Sequence, residues 1–237
     1  MEGQQTFFRE LPALARPTVI ALVGPNGSGK SSIARLLGFT NARAGDRRYR
    51  GRLVVDNATS EIVFPLVNAD EIAKQIKKHH PDESWDNCNA DAAKEAAQMR
   101  RALSEAMLDF GFETVGSHPS KVEFLTELKA RGYVIVILFV TTESADINVC
   151  RVEQRRRYGG HDVPIDKVRN RYIRTMSYFS DYLEVSDLMV VYDNSKDLSS
   201  DDGQGPKLLL VKRGPNVYFT EQGSKSPWLS KALSNDS

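Results

Sequence analysis

The stretch Gly24-Pro-Asn-Gly-Ser-Gly-Lys30-Ser31 decides the fold, because it satisfies the pattern GxxxxGK[ST]. The apolar run Thr18-Val-Ile-Ala-Leu-Val23 precedes it and has the composition of a strand that is buried on both faces. Residues 30–37 follow it and indicate the beginning of a helix. A strand, a glycine-rich turn and a helix in this order predict a loop that binds the phosphates of a nucleotide.

Each residue type in this phosphate loop has a chemical reason. Glycines let backbone N–H groups curl around phosphate oxygens without a clash from Cβ, and the helix N-terminus adds partial positive charge. Lys30 is predicted to contact the β- and γ-phosphates, and the Ser31 hydroxyl to complete the coordination shell of Mg²⁺. With ATP or GTP and Mg²⁺ as cofactors, we predict nucleotide contacts from Gly24, Asn26, Gly27, Ser28, Gly29, Lys30, Ser31 and Ser32.

The composition is that of an ordinary globular protein. Of 237 residues, 27% are charged and 41% hydrophobic, and no run reaches the 20 or so apolar residues of a membrane span. Residues 1–17 lack the features of an export signal, and Cys88 and Cys150 form neither a CxxC pair nor a disulfide framework. We therefore expect a cytoplasmic protein without membrane contact, and a net charge of +1 gives no case for nucleic-acid binding.

Apolar runs alternate with helix-length polar segments along the chain, which predicts an α/β fold with parallel strands and crossover helices. We expect a P-loop NTPase with three α/β/α layers, and one domain over residues 1–222. The five strands of a mostly parallel sheet are predicted at 18–23, 62–67, 111–115, 133–140 and 188–192. The helices after the phosphate loop are predicted at 71–79, 91–109 and 120–131.

The remaining segments are less regular. Residues 41–59 are polar and arginine-rich and indicate a loop or an exposed hairpin. A small C-terminal hairpin is predicted at 207–219, with its turn at Gly214-Pro215. The tail at 223–237 is expected to be disordered.

Two acidic residues follow predicted strands. Asp70, in Asn68-Ala-Asp70-Glu71, would lie at the carboxyl edge of the sheet, where open α/β folds bind ligands. It is a candidate general base for a substrate hydroxyl, and the alternative is a helix N-cap. Glu113 lies at the end of the third strand, where a carboxylate needs a specific partner, either a substrate hydroxyl, magnesium-bound water or a structural ion pair.

An arginine-dense segment at about 146–178 separates the last two parallel strands and is predicted to be a lid over the phosphates. Planar guanidinium groups stabilise the charge that spreads over a phosphoryl group during transfer, and closure of a lid excludes water. Gly159-Gly160 would supply a turn or a hinge, and His161 is assigned a structural or substrate-positioning role rather than a catalytic one. Most of these arginines are expected to form a solvated helix face.

A phosphate loop alone fits a motor, a switch or a kinase. The strand at 133–140 ends without a carboxylate until Glu143, which weakens the motor interpretation. The segments GPNGSGKSS, NADEIA, GFETV, RVEQRRRYGGHDVP with VRNRY, and VVYDNS together resemble the zeta-toxin-type kinase family between about Val19 and Ser195. The resemblance implies a P-loop kinase that uses ATP or GTP to phosphorylate a sugar hydroxyl of UDP-N-acetylglucosamine or a related UDP-sugar, often held inactive by an antitoxin.

The resemblance also implies roles for particular residues. Lys30 and Ser31 match the loop, Asp70 the catalytic base and Arg155 the first arginine of the lid, whereas the second lid arginine is either Arg169 or Arg171. The family's acidic residue after the third strand, often followed by two threonines, corresponds to Glu113-Thr114-Val115 here, so Val115 departs from the pattern. On these matches the catalytic residues are Asp70, Lys30, Arg155, Arg169 and Arg171, and the substrate contacts are Glu113, Thr114 and His161.

Two other functions remain open at this point. The basic stretch Arg43–Arg52 and the lid arginines suggest a polynucleotide hydroxyl kinase, although no aromatic platform for stacking bases accompanies the charge. A non-catalytic, nucleotide-dependent regulatory module is the other alternative.

Overall fold

The computed structural model describes residues 16–42, 46–56, 59, 61–157, 163–196 and 205–234. The strands in these residues are β1 (Thr18–Val23), β2 (Phe39–Asn41), β3 (Val54–Asp56), β4 (Glu61–Phe64), β5 (Leu66–Val67), β6 (Phe110–Thr114), β7 (Val134–Thr141), β8 (Leu188–Asp193), β9 (Lys207–Arg213) and β10 (Asn216–Phe219). The helices are α1 (Lys30–Leu36), α2 (Ala69–His79), α3 (Trp85–Glu105), α4 (Ser120–Ala130), α5 (Ala145–Arg157), α6 (Ile165–Ser177), α7 (Phe179–Val185), α8 (Glu221–Ser224) and α9 (Pro227–Ser234).

The chain divides into two compact units. The first runs from the N-terminus to Ile20 and from Arg35 to Glu113, and the second comprises Ala21–Ala34 and Thr114–Ser237. Seven strands form a large, mostly parallel sheet, so the predicted α/β class is confirmed. The sheet was predicted with five strands, and β9 and β10 extend it to seven. The prediction of one domain over residues 1–222 stays a prediction.

In the first unit, Pro65 interrupts the strand that we predicted at 62–67. Residues before it form β4, which pairs parallel with β2 and antiparallel with β3 in a separate three-stranded sheet. Residues after it form β5, which pairs parallel with β6. Proline has no N–H to donate to a ladder, so the strand divides there, and the prediction of a single strand was wrong.

The arginine-rich segment that we expected as a loop or hairpin is attached to β6 through Asp109. The buried Asp109 carboxylate accepts from the Leu53 backbone N–H at 2.8 Å and from Arg52 Nη1 at 3.1 Å. It also accepts from the Thr18 backbone N–H at 2.7 Å, at the start of β1. One carboxylate therefore fixes both the segment and the strand that leads to the phosphate loop.

The second unit contains the most apolar strand of the chain. All eight residues of β7 are buried, as expected for a strand covered on both faces, and β8 pairs with it in parallel register from Val136↔Leu188 to Thr141↔Asp193. Phe139 packs edge-to-face on Phe179 of α7, with ring centroids 5.1 Å apart. This register brings the ends of β7 and β8 side by side, which matters for the site.

The C-terminal segment continues this sheet. The predicted hairpin forms β9 and β10, and β9 pairs antiparallel with β8. The tail expected to be disordered instead contains α8 and α9 within the described residues to 234, so that prediction was wrong. Leu229 and Ala232 of α9 are buried, and this apolar burial explains why the segment is ordered.

Among the described residues, none of the helices combines the length and the apolar character needed to cross a membrane.

Candidate active site

The phosphate loop connects β1 to α1 within the second unit. Its first residue is held by a hydrogen bond from the Gly24 N–H to the Thr114 carbonyl at 3.3 Å. Inside the loop, Ser28 N–H donates to Pro25 O at 3.2 Å, and Ser32 N–H donates to Gly29 O at 3.0 Å as the helix begins. Hydrogen bonds between its own backbone groups therefore help to fix the conformation of the loop.

Three glycines of the loop, Gly24, Gly27 and Gly29, cannot be replaced without a clash, and a Cβ on Gly27 (φ +80°) would lie 2.6 Å from the Asn148 carbonyl oxygen. Gly24 has φ +154°, and a Cβ built on it would lie 1.9 Å from the Val140 carbonyl oxygen. Gly29 has φ +87°, and its Cβ would lie 2.2 Å from Asn194 Nδ2. Both the backbone angle and the close approach of neighbours require glycine.

Lys30 begins α1 and is 7% exposed. Its Nζ donates to Gly24 O at 2.7 Å and to Pro25 O at 3.2 Å, so the ammonium group is held by carbonyls at the beginning of its own loop. Ser31 and Ser32 follow it and are exposed. A positive charge beside an exposed hydroxyl is the arrangement that receives a phosphate with its metal ion.

Two buried asparagines outside the phosphate loop donate hydrogen bonds to its carbonyls, and neither was predicted from the sequence. Asn148 of α5 donates from Nδ2 to Asn26 O at 2.7 Å, and its Oδ1 accepts from the Thr142 hydroxyl. Asn194, directly after β8, donates from Nδ2 to Ser28 O at 2.8 Å. The available signals were a polar residue beside Val149 in α5, and the Asp-Asn-Ser turn after an apolar strand.

The predicted lid region contains α5 and α6 of the same unit, and the structure separates its two candidate arginines. Arg171 donates from Nη1 to Asn26 Oδ1 of the phosphate loop at 3.1 Å. Arg169 instead forms an ion pair with Asp146 of α5, with Nη1 and Oδ1 2.5 Å apart. Residues two positions apart on a helix point in different directions, so only Arg171 is directed at the loop.

Neighbours on α6 fix the position of Arg171. Tyr172 donates its hydroxyl to Thr142 O at 2.7 Å, and Thr175 donates to Val115 O at 2.9 Å. Burial raises the pKa of Tyr172 to about 12, so this phenol stays a donor at neutral pH. Arg155 lies exposed in the last turn of α5, before residues 158–162, which include the predicted hinge and His161 and lie outside the described residues.

The acidic candidates are joined in the first unit by Asn68. Its Oδ1 accepts from the Asp70 N–H at 2.9 Å and caps α2, while its Nδ2 donates to Glu113 Oε2 at 2.8 Å. The alternative role of Asp70 as the N-cap was therefore wrong, because Asn68 is the cap and the Asp70 side chain is exposed in the first turn. The Asn68 amide is thus a hydrogen-bond partner of Glu113, a neutral one rather than the ion pair considered from the sequence.

Thr114 and the proposed metal ligand are the remaining residues of the predicted site. Thr114 accepts from the Gly116 N–H with its hydroxyl at 3.2 Å, and its carbonyl holds Gly24. Within the described residues, no group of three His, Cys, Asp or Glu side chains could hold a metal ion. Mg²⁺ usually keeps several waters and takes few oxygen ligands from protein, and the exposed Ser31 hydroxyl could be one of them.

The sequence matches one family model and one distant relative. The family model for Zeta toxin matches residues 5–199. An uncharacterised protein of Haemophilus influenzae is 23% identical over 149 residues, which are 63% of this chain and 88% of that protein.

Solved structures share the fold at low sequence identity. The crystal structure of AvrRxo1-ORF1:-ORF2 with ATP has a TM-score of 0.65 at 15% identity, and covers 96% of this chain and 68% of that chain. The PezAT chromosomal toxin-antitoxin system of Streptococcus pneumoniae has a TM-score of 0.54 at 12% identity, with 98% of this chain and 90% of that chain covered. At these identities the likeness shows the fold.

Proposed function

Because the chain belongs to the zeta toxin family, we propose that it is a kinase that transfers the γ-phosphate of ATP or GTP to a hydroxyl of a UDP-sugar such as UDP-N-acetylglucosamine. Family membership supports a P-loop kinase. The sugar-nucleotide acceptor rests on the resemblance of the sequence motifs to those of the family.

The contact between Arg171 and Asn26 carries this proposal. A loop that only binds a nucleotide needs no second cation, whereas phosphoryl transfer gains most from cations around the transferring group. Here a lid arginine lies 3.1 Å from a side chain of the phosphate loop that also holds Lys30. The loop and the lid helix thus supply two cations to one place in the second unit.

Each residue receives a role in the transfer. Lys30 and Arg171 bind the β- and γ-phosphates and stabilise the charge on the transferring group, with Arg155 as the first lid arginine. Asp70 takes the proton of the acceptor hydroxyl, whose oxygen bonds to the γ-phosphorus while the bond to the β–γ bridging oxygen breaks and ADP leaves. Mg²⁺, held by Ser31, neutralises negative charge on the phosphates when bound.

Acceptor binding is assigned to Glu113, Thr114 and His161. Glu113 is held by Asn68 at 2.8 Å, so its carboxylate has a fixed orientation for a sugar hydroxyl. We also propose an inhibitory protein partner of the antitoxin kind, supported by the family and by the toxin-antitoxin system that shares the fold. Neither the acceptor nor the partner affects the nucleotide-binding role of the loop.

Mass spectrometry of a reaction with Mg-ATP tests the function. With UDP-N-acetylglucosamine as acceptor, the wild type should produce a species that is heavier by one phosphate, and Asp70→Asn should lose turnover by about 10²- to 10⁴-fold while it still binds ATP. Glu71→Gln, the next carboxylate on α2, is the matched control and should keep activity.

The same assay separates the alternatives. If phosphate reaches an oligonucleotide but no nucleotide sugar, then the acceptor assignment is wrong. If Asp70→Asn keeps full turnover, Asp70 is not the base. If ATP binds and a metabolite extract contains no species that gains phosphate, then the chain is a regulatory module.

A further inference from the structure

The turn after β8, Asp193-Asn194-Ser195, is in contact with the phosphate loop. Asn194 is 6% exposed; its backbone N–H donates to Thr141 O at 2.8 Å, and its Nδ2 donates to Ser28 O at 2.8 Å. The same nitrogen lies 2.2 Å from the position that a Cβ on Gly29 would take. A small rotation of this side chain would therefore displace the loop backbone or release its carbonyl.

The Asp193 carboxylate organises this turn. Its Oδ1 accepts from the Ser195 backbone N–H at 2.8 Å and from the Ser195 hydroxyl. Its Oδ2 accepts from Trp228 Nε1 at 2.8 Å. Arg151 of α5 adds hydrogen bonds from its guanidinium to Asn194 O at 2.7 Å and Ser195 O at 3.3 Å.

Trp228 lies in the first turn of α9, beyond the residues that match the family model. Its ring packs edge-to-face on Phe179 with centroids 6.1 Å apart, and Ser180 donates to Ala232 O at 3.2 Å. Leu229 is buried next to it. The helix is thus held to α7 independently of the hydrogen bond to Asp193.

We propose that Trp228 and Asp193 are positioning residues for nucleotide binding, and that they act on the phosphate loop through Asn194. The indole N–H fixes one oxygen of the carboxylate, the other oxygen fixes Ser195, and the residue between them is then held with its amide on Ser28 O. The C-terminal helix is in this way coupled to the nucleotide site through Asp193 and Asn194. The proposal rests on the nucleotide binding proposed above.

Hydrogen exchange of the loop amides tests the proposal without nucleotide. Trp228→Phe keeps the aromatic ring against Phe179 and removes the N–H donor. We expect the backbone amides of residues 26–31 to exchange about three- to tenfold faster, because a hydrogen bond to a charged group that restrains the turn is lost. Trp85→Phe, at the only other tryptophan of the chain, is the matched control and should leave these amides unchanged.

Nucleotide affinity provides the second measurement. The Kd of a fluorescent ATP analogue should rise by about three- to tenfold in Trp228→Phe. The thermal midpoint of this variant is compared with that of Trp85→Phe, to detect general destabilisation. Asp193→Asn should weaken binding as well. If Trp228 acts through Asp193, then the double variant should bind no more weakly than Asp193→Asn alone.

Several outcomes would overturn the proposal. Unchanged exchange and affinity in Trp228→Phe would show that the indole N–H has no effect on the loop, and additive effects in the double variant would show that the two residues act separately. Should Trp228→Phe fail to fold, Asp193→Asn alone decides: unchanged exchange of residues 26–31 in that variant contradicts the proposal. If the wild type binds no nucleotide, the proposed function fails, while the exchange experiment still decides the inference.

Discussion

Asparagine side chains hold the backbone at three points, two in the second unit and one in the first. Asn148 and Asn194 each donate to a carbonyl of the phosphate loop, and Asn68 caps α2 while it donates to Glu113. An amide is suited to this because it offers a donor and an acceptor at fixed angles and carries no charge to desolvate. In each unit these amides thus fix the backbone without adding a charge.

The two arginines of α6 should differ sharply when each is replaced by alanine. Arg171→Ala should lower kcat by about 10²- to 10³-fold, because it removes a cation directed at the phosphate loop. Arg169→Ala breaks a solvent-exposed ion pair with Asp146, and should change kcat by less than about tenfold. Steady-state kinetics with Mg-ATP distinguish them, and equal losses in the two variants would contradict the assignment.

Substitutions at Asn68 should separate its two contacts. Asn68→Ala removes the cap of α2 and should lower the free energy of unfolding by about 0.5–2 kcal/mol. Asn68→Ser retains a side-chain oxygen that can cap the helix, so it should lower this free energy by less. Both variants lose the donor to Glu113, and both should raise the KM for the acceptor.

Chemical denaturation and acceptor kinetics together check this prediction. If Asn68→Ser keeps the wild-type KM, then the contact with Glu113 has no role in acceptor binding.

At the scale of the elements, the sequence predicted those whose pattern is local. The apolar run of β7, the glycine-lysine loop before α1 and the hairpin of β9 and β10 each carry their own signal. The division at Pro65 was not predicted, because an apolar run with one proline also fits an edge strand, and only pairing with β2, β3 and β6 decides it. Helix α9 was missed because its order depends on burial against residues far away in the sequence.

In the candidate site, too, the sequence predicted the residues whose pattern is local. Lys30, Ser31 and the glycines follow from a pattern within eight residues. The choice between Arg169 and Arg171 could not be made, since it depends on the rotation of α6 about its axis. Asn194 lies in the quoted segment VVYDNS, but its contact with the phosphate loop and that of Asn148 could not be predicted, because 166 and 122 residues separate the partners.

The phosphate loop should not accept a methyl group at Gly29. In Gly29→Ala the Cβ would meet Asn194 Nδ2 at 2.2 Å in a backbone of φ +87°, so we expect nucleotide affinity to fall by at least about tenfold. Gly132→Ala is the matched control, because it has φ +90° but nothing within 4 Å of its Cβ.

The control should cost stability alone, on the order of 1 kcal/mol, and leave nucleotide affinity unchanged. Titration with ATP and a thermal melt of each variant measure both quantities. Wild-type affinity in Gly29→Ala would contradict the close approach of Asn194 to the loop.

At the scale of the whole molecule, buried tyrosines should make the protein sensitive to alkali. Burial raises the pKa values of Tyr172 and Tyr192 to about 12, and also raises that of Tyr182. A raised pKa in the folded state favours the protonated form, so this stability is complete below pH 10, near the unfolded pKa, and is lost as the pH rises through about 12. The free energy of unfolding should therefore fall over that range.

Tyr172→Phe provides the test of this pH dependence. It should cost roughly 0.5–1.5 kcal/mol at pH 7, since the hydrogen bond to Thr142 O is lost, and should make the decline of stability above pH 10 shallower. Urea denaturation at several pH values measures both effects. An unchanged decline would show that Tyr172 ionises equally easily in the folded and unfolded states.

Trp228 also gives the molecule an optical signal. The chain has two tryptophans, so Trp85→Phe leaves a single indole, whose N–H is bound to a carboxylate beside Asn194. The emission maximum and quantum yield of an indole depend on such a hydrogen bond. Ligand binding at the loop could then be followed by intrinsic fluorescence, in real time and without a label or an identified acceptor.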